Sequence, residues 1–164
     1  FGSDVADHYM APWMTIARAE EKRNVVEIPG KKHHPRIMDY IRTCDTLYAT
    51  ANKAKYTERE GEEGVKWCSA FVNWCMSEVG LKGTRDARAL SWLTWGKPLP
   101  GPQFGAVVVM KTASWRHVAF VDRVDGRFTM LGGNQKRASG GGISDRVSYR
   151  PLNSSIILGY RWPV

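Results

Sequence analysis

Beyond Gly96 the chain changes its period. "AVVVM", "HVAFVDRV", "RFTMLGG" and "IILGYRW" are β-branched and aromatic runs separated by Gly, Asp, Asn and Pro, and they read as strands. Before Gly96 the apolar residues recur at three- and four-residue steps, the spacing of helices with one buried stripe. Helices followed by strands exclude a doubly wound parallel sheet, in which the two must alternate. They point to an α+β domain with N-terminal helices packed on a C-terminal antiparallel sheet. With 164 residues the chain makes one domain, 1–164, large enough to bury a core without disulfide staples. Residues 1–11 read as a poorly ordered lead-in.

Four helices are expected. "PWMTIARAEEKRN" carries Pro12 in its first turn with Trp13, Ile16 and Ala17 on one face. "PRIMDYIRTC" aligns Ile37, Tyr40, Ile41 and Cys44, which makes Cys44 a core residue. "WCSAFVNWCMSEVG" aligns Cys68, Phe71, Val72, Cys75 and Val79 and ends at Gly80, a helix stop. "TRDARALSWLTWG" gives a short fourth helix with Thr84 as N-cap and Gly96 as its end. The polar segment from Tyr48 to Gly64 reads as a loop or a loosely held helix, and "SGGG" at 139–142 as a hairpin tip lacking the spacing and Lys of a phosphate-binding loop.

No apolar run approaches the roughly 20 residues that span a bilayer, and the N-terminus lacks the order of a signal peptide. Three cysteines without C-x-x-C spacing suggest free thiols and no metal. Lys and Arg total 24 against 16 Asp and Glu, a formal charge of +8. Such a surface either attracts polyanions or simply keeps the chain in solution.

Cys68 falls at a helix start, where unpaired N–H groups and the positive end of the helix dipole favour a thiolate. Cys75, two turns on in apolar surroundings, reads as inert packing. Packing is also open for Cys68 until a base is found. Of four histidines, His8, His33 and His34 fall near the N-terminus or in a Lys-rich loop, whereas His117 opens a strand. The pair Asp125-Gly126 favours a two-residue hairpin turn, which sets Val124 opposite Arg127 and, continued, His117 opposite Asn134. Opposed residues share a face with Cβ atoms roughly 5 Å apart, so Asn134 is the expected partner of the imidazole. Asp122, an odd number of positions from His117, should face the other way. A bulge would break this register. Cys68, His117 and Asn134 together supply a nucleophile, an acid/base and an orienting amide. The Cys68 backbone N–H is one candidate oxyanion donor, with Tyr56 a conjectural second.

In chain order, "PWMTIARAE", "EIPG", "HPRIMDYI", "WCSAFVNWC", "GTRDARALSWLTWG", "HVAFV", "LGGNQ" and "GYRWP" resemble the NlpC-like and CHAP-like papain-fold hydrolases of bacterial cell walls. The resemblance is to a subgroup found in phage lysins and secreted antibacterial amidase effectors. It implies that the Cys after Trp attacks an amide of the peptidoglycan stem peptide, that the His of the "HV" strand is the base, and that a polar residue on the following strand, Asn134 by position, is the third member. The chain departs from the family at His34, where Asn is expected before Pro35, and at Ala106, where Asp often follows Gly. His34 then bears on substrate preference.

Seven tryptophans are many for this length. Trp74 and Trp92, at helical spacing, read as core; Trp67 and Trp115, beside the proposed site residues, read as cleft walls that meet substrate with Tyr56. The expectation is thus a cysteine amidase or endopeptidase of peptidoglycan, without cofactor or metal, binding neither nucleic acid nor membrane interior, and monomeric. It would act in the periplasm or cell wall of a target bacterium, and an effector role would imply a cognate immunity protein. Two rivals stand beside it: an acyl transferase of transglutaminase type using the same triad, and a non-catalytic basic module binding wall or nucleic acid.

Overall fold

The computed structural model describes residues 4–28, 34–44 and 66–164. Among them, helices α1 (Asp4–Met10), α2 (Pro12–Lys22), α3 (Pro35–Ile41) and α4 (Cys68–Glu78) precede strands β1 (Lys97–Leu99), β2 (Val107–Lys111), β3 (Arg116–Val124), β4 (Arg127–Gln135), β5 (Arg146–Pro151) and β6 (Ile157–Trp162). The six strands form one sheet in the order β1-β6-β2-β3-β4-β5, with every pairing antiparallel. Strands β2 to β5 are a meander, and β6 returns to pair between β1 and β2. This is the α+β arrangement expected from the change of period at Gly96.

Helix α4 packs on β3 and β4, with Phe71 edge-on to Phe120 at 6.3 Å. Val107, Val109, Val118, Phe120 and Leu131 belong to the larger core beneath the helices, while Val108, Met110, Ala119 and Val121 point to a smaller cluster on the opposite face. Alternation along the strands accounts for this division. Fully burying a large apolar side chain such as Phe71 or Phe120 contributes about 1.5–3 kcal/mol, so the two faces together are the main source of stability.

Two buried carboxylates fix α2. Asp122 on β3 receives the Arg18 guanidinium at 2.7 and 3.0 Å and the Tyr149 hydroxyl at 3.0 Å. Glu20 receives the Arg36 guanidinium at 2.6 and 2.7 Å and the Tyr40 hydroxyl at 2.6 Å, which ties α2 to α3. A carboxylate taken from water without such partners costs several kcal/mol, so each needs its donors. The ion pairs therefore position the helices more than they add net stability.

Several local expectations are corrected. Part of the expected lead-in is a helix, α1, whose Asp7 pairs with Arg18 at 3.3 Å and Arg123 at 3.1 Å, contacts between residues far apart in sequence. The expected fourth α-helix is a 3-10 turn over Ala89–Thr94. Its approach is held differently: Thr84 accepts from the Asn73 side chain at 3.2 Å and from the Ser91 hydroxyl at 3.0 Å, and Asp86 accepts from the Arg88 N–H at 2.8 Å. Strands β1 and β5 were not anticipated. The first is three residues long with Pro98 at its centre, tolerated because β1 lies at a sheet edge. The segment from Tyr48 to Gly64 lies outside the described residues.

The Asp125-Gly126 turn forms as expected. Both residues have positive φ, 51° and 74°, as a type I′ turn requires. Val124 pairs with Arg127, and the register runs unbroken to Phe120 opposite Leu131.

Candidate active site

Past Leu131 the ladder changes. Against β5, Gly132 pairs with Ser148 but Gln135 pairs with Arg146, so β4 advances three residues while β5 advances two. The extra residue is a β-bulge, and Asn134 within it adopts a left-handed φ of 57°. Asn is among the few side chains that tolerate this conformation.

The bulge exchanges the roles of two neighbours. The expected contact between His117 and Asn134 is not formed. The Asn134 side chain instead accepts from the Trp67 backbone N–H at 3.0 Å and donates to the Ser144 carbonyl at 2.6 Å. Gln135 takes the place beside the imidazole, with its Oε1 at 2.8 Å from His117 Nε2. The Gln135 Nε2 donates to the Ser148 carbonyl at 2.7 Å, which fixes the direction of the amide. Its oxygen must then accept, so His117 carries a proton on Nε2 and Nδ1 is the nitrogen available to the thiol.

Cys68 begins α4 and is 4% exposed; His117 is 9% exposed. Burial opposes ionisation of Cys68, but the His117 ring and the N–H groups of Val118 and Ser69 outweigh it and hold the thiol below its ordinary range. Burial likewise opposes a charged His117, yet Cys68 and Gln135 raise its affinity for a proton above the ordinary value. Opposite shifts of two facing groups favour a thiolate and an imidazolium. Cys75 has no such partner: burial pushes its thiol well up, with Glu20 and Glu78 adding to the effect. Cys75 is core packing, and so is the fully buried Cys44.

The "LGGNQ" motif can now be read atom by atom. A Cβ at Gly132 would lie 2.6 Å from Gln135 Oε1 and 2.9 Å from the Ala119 methyl, so its absence makes room for the orienting amide. A Cβ at Gly133 would lie 2.6 Å from the Trp67 ring and 2.8 Å from Phe71 Cβ, so its absence lets α4 approach β4. Asn134 then secures the backbone just before Cys68, and Gln135 secures the His117 ring. The adjacent glycines followed by Asn inside a strand pattern were the available signal for a bulge.

The remaining expected site residues are divided. Trp67 is 1% exposed, its indole N–H donates to Glu27 at 2.7 Å and its ring stacks on Tyr40 at 5.9 Å, so it does not wall a cleft. Its aromatic face is wholly used inside the core. Trp115 is part-exposed, packs against the smaller cluster on the face opposite the helices and stands edge-on to the His117 ring at 6.2 Å. Tyr56 lies outside the described residues. Trp92 is core, its indole donating to the Ser69 hydroxyl at 2.9 Å, and Trp74 is partly buried against Tyr40. His34 caps α3, accepting the Arg36 N–H at 3.2 Å, a task Asn also performs. Asp122 faces away from His117 as alternation requires and serves the α2 ion pair.

Comparison with known families finds that residues 60–134 match the CHAP domain. The match runs from before Cys68 through the β3–β4 hairpin to Asn134, so it contains both Cys68 and His117. Helices on a six-stranded antiparallel sheet are consistent with the papain-like CHAP fold. CHAP domains are generally amidases or peptidases of peptidoglycan, so the match supports an enzyme with peptidoglycan as substrate. Among curated proteins, none matches the chain.

Proposed function

We propose that the protein is a cysteine hydrolase that cuts an amide bond in or next to the peptidoglycan stem peptide through a thioester acyl-enzyme. One observation carries this reading: Cys68 at a helix start faces an imidazole whose far nitrogen is held by Gln135. The Cys68 sulfur attacks the amide carbonyl carbon, and the developing oxyanion is met by the Cys68 N–H, one of the first-turn groups without an intrahelical partner. His117 Nδ1 gives its proton to the departing amine as the C–N bond breaks. The same nitrogen then takes a proton from water, whose oxygen attacks the thioester. A carboxylic acid leaves and the thiolate returns.

Gln135 acts through the imidazole, holding the ring plane and the Nε2 proton throughout. This replaces Asn134 in the role expected from unbroken hairpin register. The site's position in a basic chain suits an anionic wall polymer, and the place of action is the periplasm or wall of a target bacterium, as in the phage lysins and antibacterial effectors that the sequence resembles. In the effector case a cognate immunity protein covers the cleft.

Purified peptidoglycan digested by wild type, Cys68→Ala and His117→Ala, with released fragments identified by mass spectrometry, tests the mechanism and locates the cut. New amine and carboxylate termini should appear with wild type alone. Undiminished release by Cys68→Ala would overturn the reading.

A further inference from the structure

The inserted residue in β4 decides which amide reaches His117, and the strand meets β5 at Ser148 on both sides of that insertion. Before the bulge, Gly132 pairs with Ser148. After it, the Lys136 carbonyl accepts from the Ser148 hydroxyl. Between the two, the Gln135 side-chain N–H donates to the Ser148 carbonyl at 2.7 Å. One residue therefore holds the strand before and after the insertion, together with the side chain that the insertion presents.

Ser148 also lies on the face of the sheet that carries the imidazole. Opposed residues share a face, so Ser148 stands beside Gly132, where a Cβ would meet the Ala119 methyl and the Gln135 amide. Ala119 belongs to the smaller cluster away from the helices, and His117, two residues before it on β3, shares that side. The next residue on β5, Tyr149, turns the other way, to Asp122 beside α2. Gln135 thus lies across the space left by Gly132, tied to Ser148 at its nitrogen and to His117 at its oxygen, 2.8 Å away.

Strand β5 offers a fixed template for this. On its other edge the Val147 N–H donates to the Val25 carbonyl at 3.1 Å, and the Glu27 N–H donates to the Asp145 carbonyl at 2.8 Å. Strand β4, by contrast, enters the bulge through Gly132 and Gly133, and Gly-rich strands hold their register weakly. A slip of one residue would bring Asn134 to the His117 face and turn Gln135 away. The buried Ser148 hydroxyl, 4% exposed as a residue, stands where it opposes that slip.

We propose that Ser148 is a positioning residue for the reaction at Cys68: its hydroxyl closes the bulge and its carbonyl aims the Gln135 amide, so that Gln135 and not Asn134 meets the His117 ring. This rests on the cysteine-hydrolase reading. Ser148 acts through Gln135.

The test is a double-mutant cycle on the full chain with a soluble peptidoglycan fragment as substrate, read at a temperature where every variant is folded. Ser148→Ala removes the hydroxyl with little change of shape and should lower kcat on the order of tenfold, with KM little changed. In the Gln135→Ala background the same substitution should cost less than about twofold, because the group it positions is already gone. A second readout needs no turnover. In protein with isotope-labelled histidine, NMR should find the His117 Nε2 proton exchanging with water on the order of tenfold faster in Ser148→Ala than in wild type, as the amide that holds it loosens. Equal losses of kcat in the two backgrounds would mean a general structural role, and that result or an unaltered exchange rate overturns the proposal. If wild type cleaves no peptidoglycan amide the functional reading fails, and the proton exchange still decides whether Ser148 positions the ring.

Discussion

His117 Nε2 and Gln135 Oε1 lie 2.8 Å apart, and the Gln135 amide is anchored from behind by the Ser148 carbonyl at 2.7 Å. The imidazole is therefore held in one tautomer by a side chain that cannot flip without losing its own partner. Gln135→Ala should lower kcat on the order of ten- to a hundredfold with a smaller change in KM, the usual range for removing a group that orients another. Gln135→Glu keeps an acceptor at the ring but sets its second oxygen against the Ser148 carbonyl in place of the amide donor; its negative charge should still move the basic limb of the pH profile upward. Steady-state kinetics across pH would decide; a limb that does not move would count against an orienting role.

Asn134 should give the opposite pattern. Its side chain bridges the Trp67 N–H and the Ser144 carbonyl, and its backbone sits at a φ of 57°. Asn134→Ala loses both hydrogen bonds and places a less tolerant residue in the left-handed region, so unfolding should become easier by about 1–2 kcal/mol. Denaturant melts would measure this. Activity at a temperature where the variant is folded should fall less than in Gln135→Ala, because the imidazole keeps its partner.

The contrast between these neighbours shows what the sequence could disclose. The α+β order, the α4 stripe and the Asp125-Gly126 turn all follow from local period and turn chemistry. They were legible because each depends on residues close together in the chain. The third member was not, since one inserted residue in β4 changes which side chain reaches His117, and a bulge is set by strand pairing across the sheet. Trp67 was misplaced for a related reason. Its neighbour Cys68 is at the site, but its ring fits a gap opened by Gly133 and closed by Tyr40 and Glu27, all distant in sequence.

The facing charges make a pH prediction. Cys68 is held below the ordinary thiol range, and His117 above the ordinary imidazole range, each by the other against the effect of burial. Thiolate forms as pH rises through the lowered Cys68 value, and imidazolium is lost as pH rises through the raised His117 value. The profile of kcat/KM should thus be a bell whose acidic limb lies below the usual thiol value and whose basic limb lies above the usual imidazole value of 6.5. The stability linked to each group follows the same directions. That from Cys68 is present at high pH and lost as pH falls through its folded value; that from His117 is present at low pH and lost as pH rises through its own. In Cys68→Ala, burial and Lys66 still oppose the imidazolium while the largest influence favouring it is gone, so NMR titration should find His117 losing its proton at lower pH than in wild type. An unchanged titration would mean that the two side chains do not interact.

Adjacent glycines should fail in different ways. An Ala at 132 would press on Gln135 Oε1, 2.6 Å from the new Cβ, and on the Ala119 methyl at 2.9 Å. The amide is the end of a flexible side chain and can move whereas the Ala119 methyl cannot, so Gly132→Ala should displace the orienting group and also cost some stability: kcat, read where the variant is folded, falls toward the Gln135→Ala level. An Ala at 133 meets the Trp67 ring at 2.6 Å and Phe71 Cβ at 2.8 Å, neither of which can yield inside a packed core. Gly133→Ala should therefore cost about 1–3 kcal/mol of stability, the usual range for overpacking, by lifting α4 from β4. Parallel melts and kinetics on the two variants separate these effects. If Gly132→Ala kept full activity, Gln135 would have an alternative route to His117, and the tight fit around its amide would not be what sets the base.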